Sequence, residues 1–184
     1  ILETPNLLEL QNKKLSVLYE IALTVGKSLD LRTILDDVLE KIITFMGVDG
    51  GVIYVINDET LELVPVSYRN ISENVLRDLC DNRVRVGECM CGSIAEYGKE
   101  VIILENASED KRFRESFRKA RVEFYAGLPL RAKGKIIGVL CVVNYSSYTL
   151  DREIIDVLRA ATVPIGLAIE NALLFENTRK EAEA

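Results

Sequence analysis

The chain has 184 residues, 23 basic and 29 acidic side chains, a net charge of −6, four cysteines and no histidine. The acidic balance argues against general binding to nucleic acid or anionic membranes. The missing histidine excludes Ser-His and Cys-His catalysis, imidazole-ligated haem and every His-containing zinc site.

A chain of this length buries roughly 70% of its unfolded surface as one domain and needs no disulfide framework. It begins at Ile1 with no secretory pattern and no apolar run of transmembrane length. It therefore reads as a soluble, cytoplasmic piece of something longer, and its free cysteines fit a reducing compartment.

Apolar positions Leu8, Leu15, Leu18, Ala22 and Val25 predict an amphipathic helix from Asn6 to about Lys27. Ser28-Leu29-Asp30-Leu31 breaks it, and Asp30 caps a second helix whose buried face is Ile34, Leu35, Val38, Ile42, Ile43 and Phe45, ended by Gly47. Gly51 to Ile56, the turn Asn57-Asp58-Glu59-Thr60 and the run through Val66 predict an antiparallel hairpin. Ser72 caps a short helix through Leu79, Cys80 falls at its end, and Arg83 to Val86 is extended.

Val86 to Ile103 is where scaffold becomes site. Gly87 and Gly92 bracket Cys89-Met90-Cys91, and Ser93 to Glu96 suit a short helix that Gly98 ends in a left-handed cap. A helix starting near Cys91 places both thiols at its positive end, which lowers a cysteine pKa. After a strand from Val101 to Leu104, six basic residues crowd into Lys111 to Arg121, with Phe113 and Phe117 on one helical face. That segment is either a solvated helix pinned by two phenylalanines or a lid offering cations to an anionic ligand.

A second hairpin follows, Val122 to Leu130 and Lys135 to Asn144, turning at Lys133-Gly134. In its second strand Ile137, Val139, Cys141 and Val143 face one way and Ile136, Leu140 and Val142 the other, so the sheet is covered on both sides. Thr149, with Asp151 and Glu153 just inside, starts the last helix. Ile154, Leu158, Ala161, Ile165, Ala168, Ala172 and Phe175 keep a coiled-coil spacing, and Ile155, Leu167, Ile169, Leu173 and Leu174 add apolar surface off that seam. A sheet face and the same helix of a second subunit would bury both, and Pro164 is either a hinge or a tolerated kink.

The order of elements, with Val86-Gly87-Glu88-Cys89-Met90-Cys91-Gly92, Tyr97-Gly98-Lys99-Glu100-Val101 and Leu128 to Leu140, resembles a GAF domain over nearly the whole chain. The resemblance implies an α+β fold related to profilin and PAS domains. A central antiparallel sheet of five to six strands would carry the terminal helices on one face and a ligand pocket with short helices on the other. It further implies a regulatory, non-catalytic module of a sensor kinase, transcriptional activator or diguanylate cyclase, dimerising through its terminal helices. The corresponding boundaries are residues 1–29 for the first signalling helix, 30–149 for the core and 150–184 for the helix leading to an output domain.

Phytochrome-type and haem-binding branches need the absent histidine, and Asn106, Lys111 and Phe113 match the cyclic-nucleotide signature only loosely. Similarity to the free methionine-R-sulfoxide reductase branch rests on Cys91 in the loop, Cys80 upstream and Glu123 near a substrate-binding acid. A third cysteine is missing around Ser116, and there is no tryptophan. The expected ligand site comprises Cys89, Cys91, Ser93, Phe113, Phe117, Arg121, Glu123 and Tyr125, with Cys80, Cys89 and Cys91 as redox candidates and no cofactor specified. For these three thiols, burial in the core, a disulfide switch and a metal site, the last with Cys141 or an exogenous fourth ligand, all stay open, while Cys141 reads foremost as a small core side chain.

Overall fold

The computed structural model describes residues 6–26, 30–98 and 101–184. The expected break at Ser28-Leu29 and the Lys99-Glu100 step of the matching motif lie outside the described residues.

Two helices open the chain, α1 (Asn6–Gly26) and α2 (Leu31–Met46). Asp30 caps α2 through its carboxylate and the Thr33 N–H, and Gly47 ends it at φ 68°. The hairpin β1 (Gly50–Asn57) and β2 (Glu62–Arg69) leads to α3 (Glu73–Asp81), capped by Ser72, then to β3 (Val84–Arg85). Next come α4 (Cys89–Tyr97), β4 (Ile102–Glu105), a 3₁₀ turn at Ala107–Glu109 and α5 (Glu115–Lys119). The hairpin β5 (Phe124–Ala132) and β6 (Lys135–Asn144) precedes α6 (Arg152–Glu183).

The six strands form one antiparallel sheet in the order β3-β2-β1-β6-β5-β4. Alternation along each strand sends two apolar sets to opposite faces. Ile53, Val55, Phe124, Ala126, Leu140 and Val142 meet α1, α2 and α6. Val52, Tyr54, Tyr125, Val139, Cys141 and Val143 meet α3, α4 and the α5 segment.

Several expectations change. Ile136 packs with the second set and Ile137 with the first, the reverse of strict alternation. The cause is a bulge: Leu130 pairs with Gly138 and Arg131 with Ile136, so Ile137 has no partner and the period slips by one. The cationic lid is helical only over Glu115–Lys119, so Phe113 precedes the helix rather than sharing a face with Phe117. Helix α4 starts two residues before Cys91, and Gly98 has φ −54°, not a left-handed value. Asp151, not Thr149, occupies the cap position of α6.

The terminal helices also divide differently. On α1 the inward side is Val17, Leu18, Ile21, Thr24 and Val25, whereas Leu8, Leu15, Tyr19 and Leu23 are exposed. The α6 seam of Leu158, Ala161, Ile165, Ala168 and Ala172 is buried within this domain, which removes it as a contact between subunits. What α6 leaves outside is Val163, Leu167, Leu174 and Phe175. By length and composition α6 is apolar enough to cross a membrane, contrary to expectation, yet 44% of its most apolar window is buried in the domain. The buried part of that window packs on the sheet and on α1 and α2.

Candidate functional site

The glycine pair in the loop before α4 has a local cause. Gly87 sits at φ +89° and donates its N–H to the Gly92 carbonyl at 2.8 Å, while Glu88 N–H donates to the Arg85 carbonyl at 3.0 Å. A Cβ on Gly92 would fall far inside contact with that same Arg85 oxygen. The first turn of α4 is therefore drawn against β3, which turns Met90, Cys91 and Ile94 inward.

Cys91 Sγ and Tyr125 Oη share a hydrogen bond at 3.4 Å. Gly127, two residues on in β5, leaves room for the Tyr125 ring; a Cβ there would stand 2.6 Å from the Tyr125 hydroxyl. Cys141 of β6 pairs with both Val52 and Gly127, so its thiol enters the cluster from the sheet centre. Tyr54 of β1 completes it, fully buried, with a hydroxyl that has no hydrogen-bond partner among the described residues. Above these groups Phe113 meets Tyr125 edge to face, ring centroids 4.9 Å apart at 82°, and Phe117 lies 6.0 Å from Phe113.

The two buried thiols differ in acidity. A hydrogen bond from Cys141 lowers Cys91 below the ordinary thiol value, helped by Tyr125, and these donors outweigh burial. The same bond, together with burial, pushes Cys141 well up. Burial likewise raises Tyr54 and Tyr125.

The pocket expected on this face is almost closed. A cavity of about 10 Å³ remains, lined by Tyr54, Met90, Cys91, Phe113, Phe117 and Arg114, with Val84 and Cys89 at its edge. Outside it lies an open groove of about 720 Å³ between α3 and α5, bounded by Asp78, Asn82, Arg114, Ser116 and Lys119. Arg114 belongs to both walls.

A polar latch holds α5 to α3. Asp78 Oδ2 accepts a hydrogen bond from Ser116 Oγ at 2.7 Å and pairs with Arg114 at 3.5 Å, while its Oδ1 accepts one from Asn82 Nδ2 at 3.1 Å. Arg114 also donates to the Asn82 carbonyl. Burial raises the Asp78 carboxyl, but the Ser116, Asn82 and Arg114 donors prevail and hold it below the ordinary value. A depressed folded-state pKa gives stability that is complete above the unfolded value and lost as pH falls through the folded one. Hydrogen exchange in α5 should therefore rise below the usual carboxylate range, and Asp78→Asn should raise it at neutral pH; equal exchange in the variant would show that the latch is idle.

The fold brings Cys89, Cys91, Phe113, Phe117 and Tyr125 together. Ser93 instead donates its hydroxyl to the Cys89 carbonyl at 2.7 Å, within α4. Arg121 is exposed at a left-handed turn, and Glu123 is half-buried before β5 with its N–H donated to Asn144. Cys80 is exposed on α3, while Cys91 is buried against β5 and β6, so the reductase-like pairing is not assembled. All four cysteines are free, and among the described residues no cluster of three metal-ligating side chains occurs. Sequence reasoning missed Tyr54, Arg114 and Asp78 and treated Cys141 foremost as filler. The signal for Tyr54 was its alternation with Val52 and Ile56; none existed for the latch.

A curled antiparallel sheet with terminal helices on one face and short helices closing the other is an α+β architecture. The GAF domain family model matches residues 28–170, and the chain belongs to that family. It is 24% identical over 178 residues to the sensor histidine kinase YhcY of Bacillus subtilis (strain 168), covering 92% of this chain and 45% of that protein. It is 26% identical over 141 residues to the Nif-specific regulatory protein of Azospirillum lipoferum, covering 73% of this chain and 22% of the relative. The chain thus spans less than half the length of these relatives. The GAF domain of an Acinetobacter phosphoenolpyruvate-protein phosphotransferase superposes with a TM-score of 0.75 at 21% identity, over 89% of this chain and 97% of that one.

Proposed function

We propose that this GAF domain is the cytoplasmic sensory module of a larger signalling protein, responding to a small molecule or to thiol oxidation and relaying the change along α6 to an output domain. The observation that carries the reading is the double use of α6. Ala161, Ile165 and Ala168 lock one side to the sheet, while Val163, Leu167 and Leu174 form an outer apolar stripe on α6, and α1 also leaves Leu8, Leu15, Tyr19 and Leu23 exposed. An exposed stripe at helical spacing fits a homodimer, so a shift of the sheet under α6 would be felt across the interface. Pro164 sits between the two uses; lacking an N–H, it leaves the Ala160 carbonyl without its helical partner, a natural bending point. The relatives named as a sensor kinase and a regulatory protein support an attached output domain.

Sedimentation velocity at micromolar concentration tests the dimer. The unaltered chain should run as a dimer and Leu167→Glu as a folded monomer, because Leu167 is 52% exposed and contributes little to the domain interior. A monomeric parent chain would end the reading. The nearly closed cavity favours one second reading, a structural dimerisation module without a ligand. Native mass spectrometry separates the two: added non-covalent mass on the dimer supports sensing, and a bare dimer inert to ligand screening supports the structural role.

A further inference from the structure

Arg131 of β5 touches elements on both faces of the sheet. On one face its guanidinium donates to the carbonyl of Gly98, the residue that caps α4 and gives its own N–H to the Ile94 carbonyl at 2.9 Å. A cation there satisfies a carbonyl that the end of a helix leaves open. On the other face its backbone is the surface on which Gly166 of α6 rests, so close that a Cβ on Gly166 would collide with the Arg131 carbonyl. Two residues on, Lys133 Nζ lies 3.4 Å from Glu170 Oε1. Gly166 and Glu170 are four positions apart, so a single face of α6 is seated on the end of the β5–β6 hairpin.

Both partners of this contact can bend where it is made. Arg131 follows the bulge, and beyond it the hairpin holds only the Arg131–Ile136 and Ala132–Lys135 pairs. A bulge disrupts the ladder and lets the strand bend. Gly166 and Glu170 likewise follow Pro164, where the missing N–H frees the Ala160 carbonyl and lets the helix bend. The part of α6 before Pro164 is held separately, by Leu158 and Ala161 in the core and by Glu153, 3.8 Å from Lys14 of α1.

We propose that the end of this hairpin couples α4 to the second half of α6, and that Arg131 is the positioning residue that joins them. A displacement of the last turn of α4 draws on Arg131 through the Gly98 carbonyl and tilts the hairpin beyond its bulge. Gly166 and Glu170 move with it, while the first half of α6 stays seated. This coupling rests on the relay along α6 proposed above and gives it a path through named residues, whatever displaces α4.

The test is hydrogen exchange read by mass spectrometry on the full chain and on Arg131→Met, which keeps the aliphatic stem of an exposed side chain and removes its donor. Exchange should rise several-fold in residues 94–98 and, on the opposite face of the sheet, in residues 165–173, with residues 152–162 unchanged. Arg131→Lys, which can still donate to the carbonyl, should return both segments toward the parent values. Coupling is reciprocal, so Gly166→Ala should raise exchange in residues 94–98 of the parent chain and add nothing there in the Arg131→Met background. A rise confined to residues 94–98 in Arg131→Met would reduce the side chain to a local cap of α4 and overturn the proposal. An equal rise in residues 152–162, the mark of general loosening, would also overturn it, as would Gly166→Ala without effect on residues 94–98. A monomeric parent chain would leave these readings as they are, so failure of the dimer and failure of the link are told apart.

Discussion

Gly166→Ala is expected to destabilise the domain by about 2 kcal/mol, the middle of the range for overpacking a filled interface. In an unconstrained helix interior the same change would stabilise by about 1 kcal/mol, since alanine is the better helix former. At this position the clash prevails. A Cβ on Gly166 would collide with the Arg131 carbonyl oxygen and stand 2.8 Å from its carbon and 3.2 Å from the Arg131 nitrogen. All three are backbone atoms of β5 at the bulge of the β5–β6 hairpin, so relief requires α6 to lift from the sheet rather than a side chain to rotate. Urea unfolding should show a lower midpoint with an unchanged slope. A variant more stable than the parent would mean that α6 is loosely seated on β5, and the relay would lose its rigid contact.

Phe113→Ala should cost about 3 kcal/mol and expose Cys91 at the same time. The stability loss follows from removing a nearly buried ring whose edge-to-face contact with Tyr125 covers the thiol cluster. Labelling of Cys91 by a small thiol reagent in the folded state should rise roughly tenfold or more, because access limits a buried thiol. Phe117→Ala, whose ring packs on Phe113, should give a smaller rise in labelling. Unchanged labelling in the Phe113 variant would place the barrier elsewhere, in α4 itself.

Much of the architecture was legible because its signals are local. Asp30 and Ser72 announce their caps by chemistry that involves only the next turn, and the Lys133-Gly134 turn needs only two residues able to take positive φ, here 49° and 77°. Both apolar faces of β6 were readable from alternation down to the point where the bulge at Ile137 shifts the period. A bulge is decided by the partner strand, which no single strand reports.

The site was legible in composition but not in assembly. Cys91, Phe113, Phe117 and Tyr125 were named from a loop motif, an aromatic pair and a strand, and they do converge. The partner of Cys91 was sought among its chain neighbours Cys80 and Cys89, yet Cys141, fifty positions later, is the thiol beside it. Asp78 looked like one more solvated charge on α3 until Ser116 and Arg114 came down on it.

By itself, then, the sequence determined the order of elements, the antiparallel sheet with two apolar faces and the family, since caps, turns and hydrophobic period act over a few residues. Only the tertiary structure decided which side of α1 and α6 is spent on the sheet, that the second face is closed, and that two cysteines and two tyrosines share one buried cluster. Those outcomes depend on strand register and on contacts between residues tens of positions apart, where every candidate apolar face looks equally good until one of them is covered.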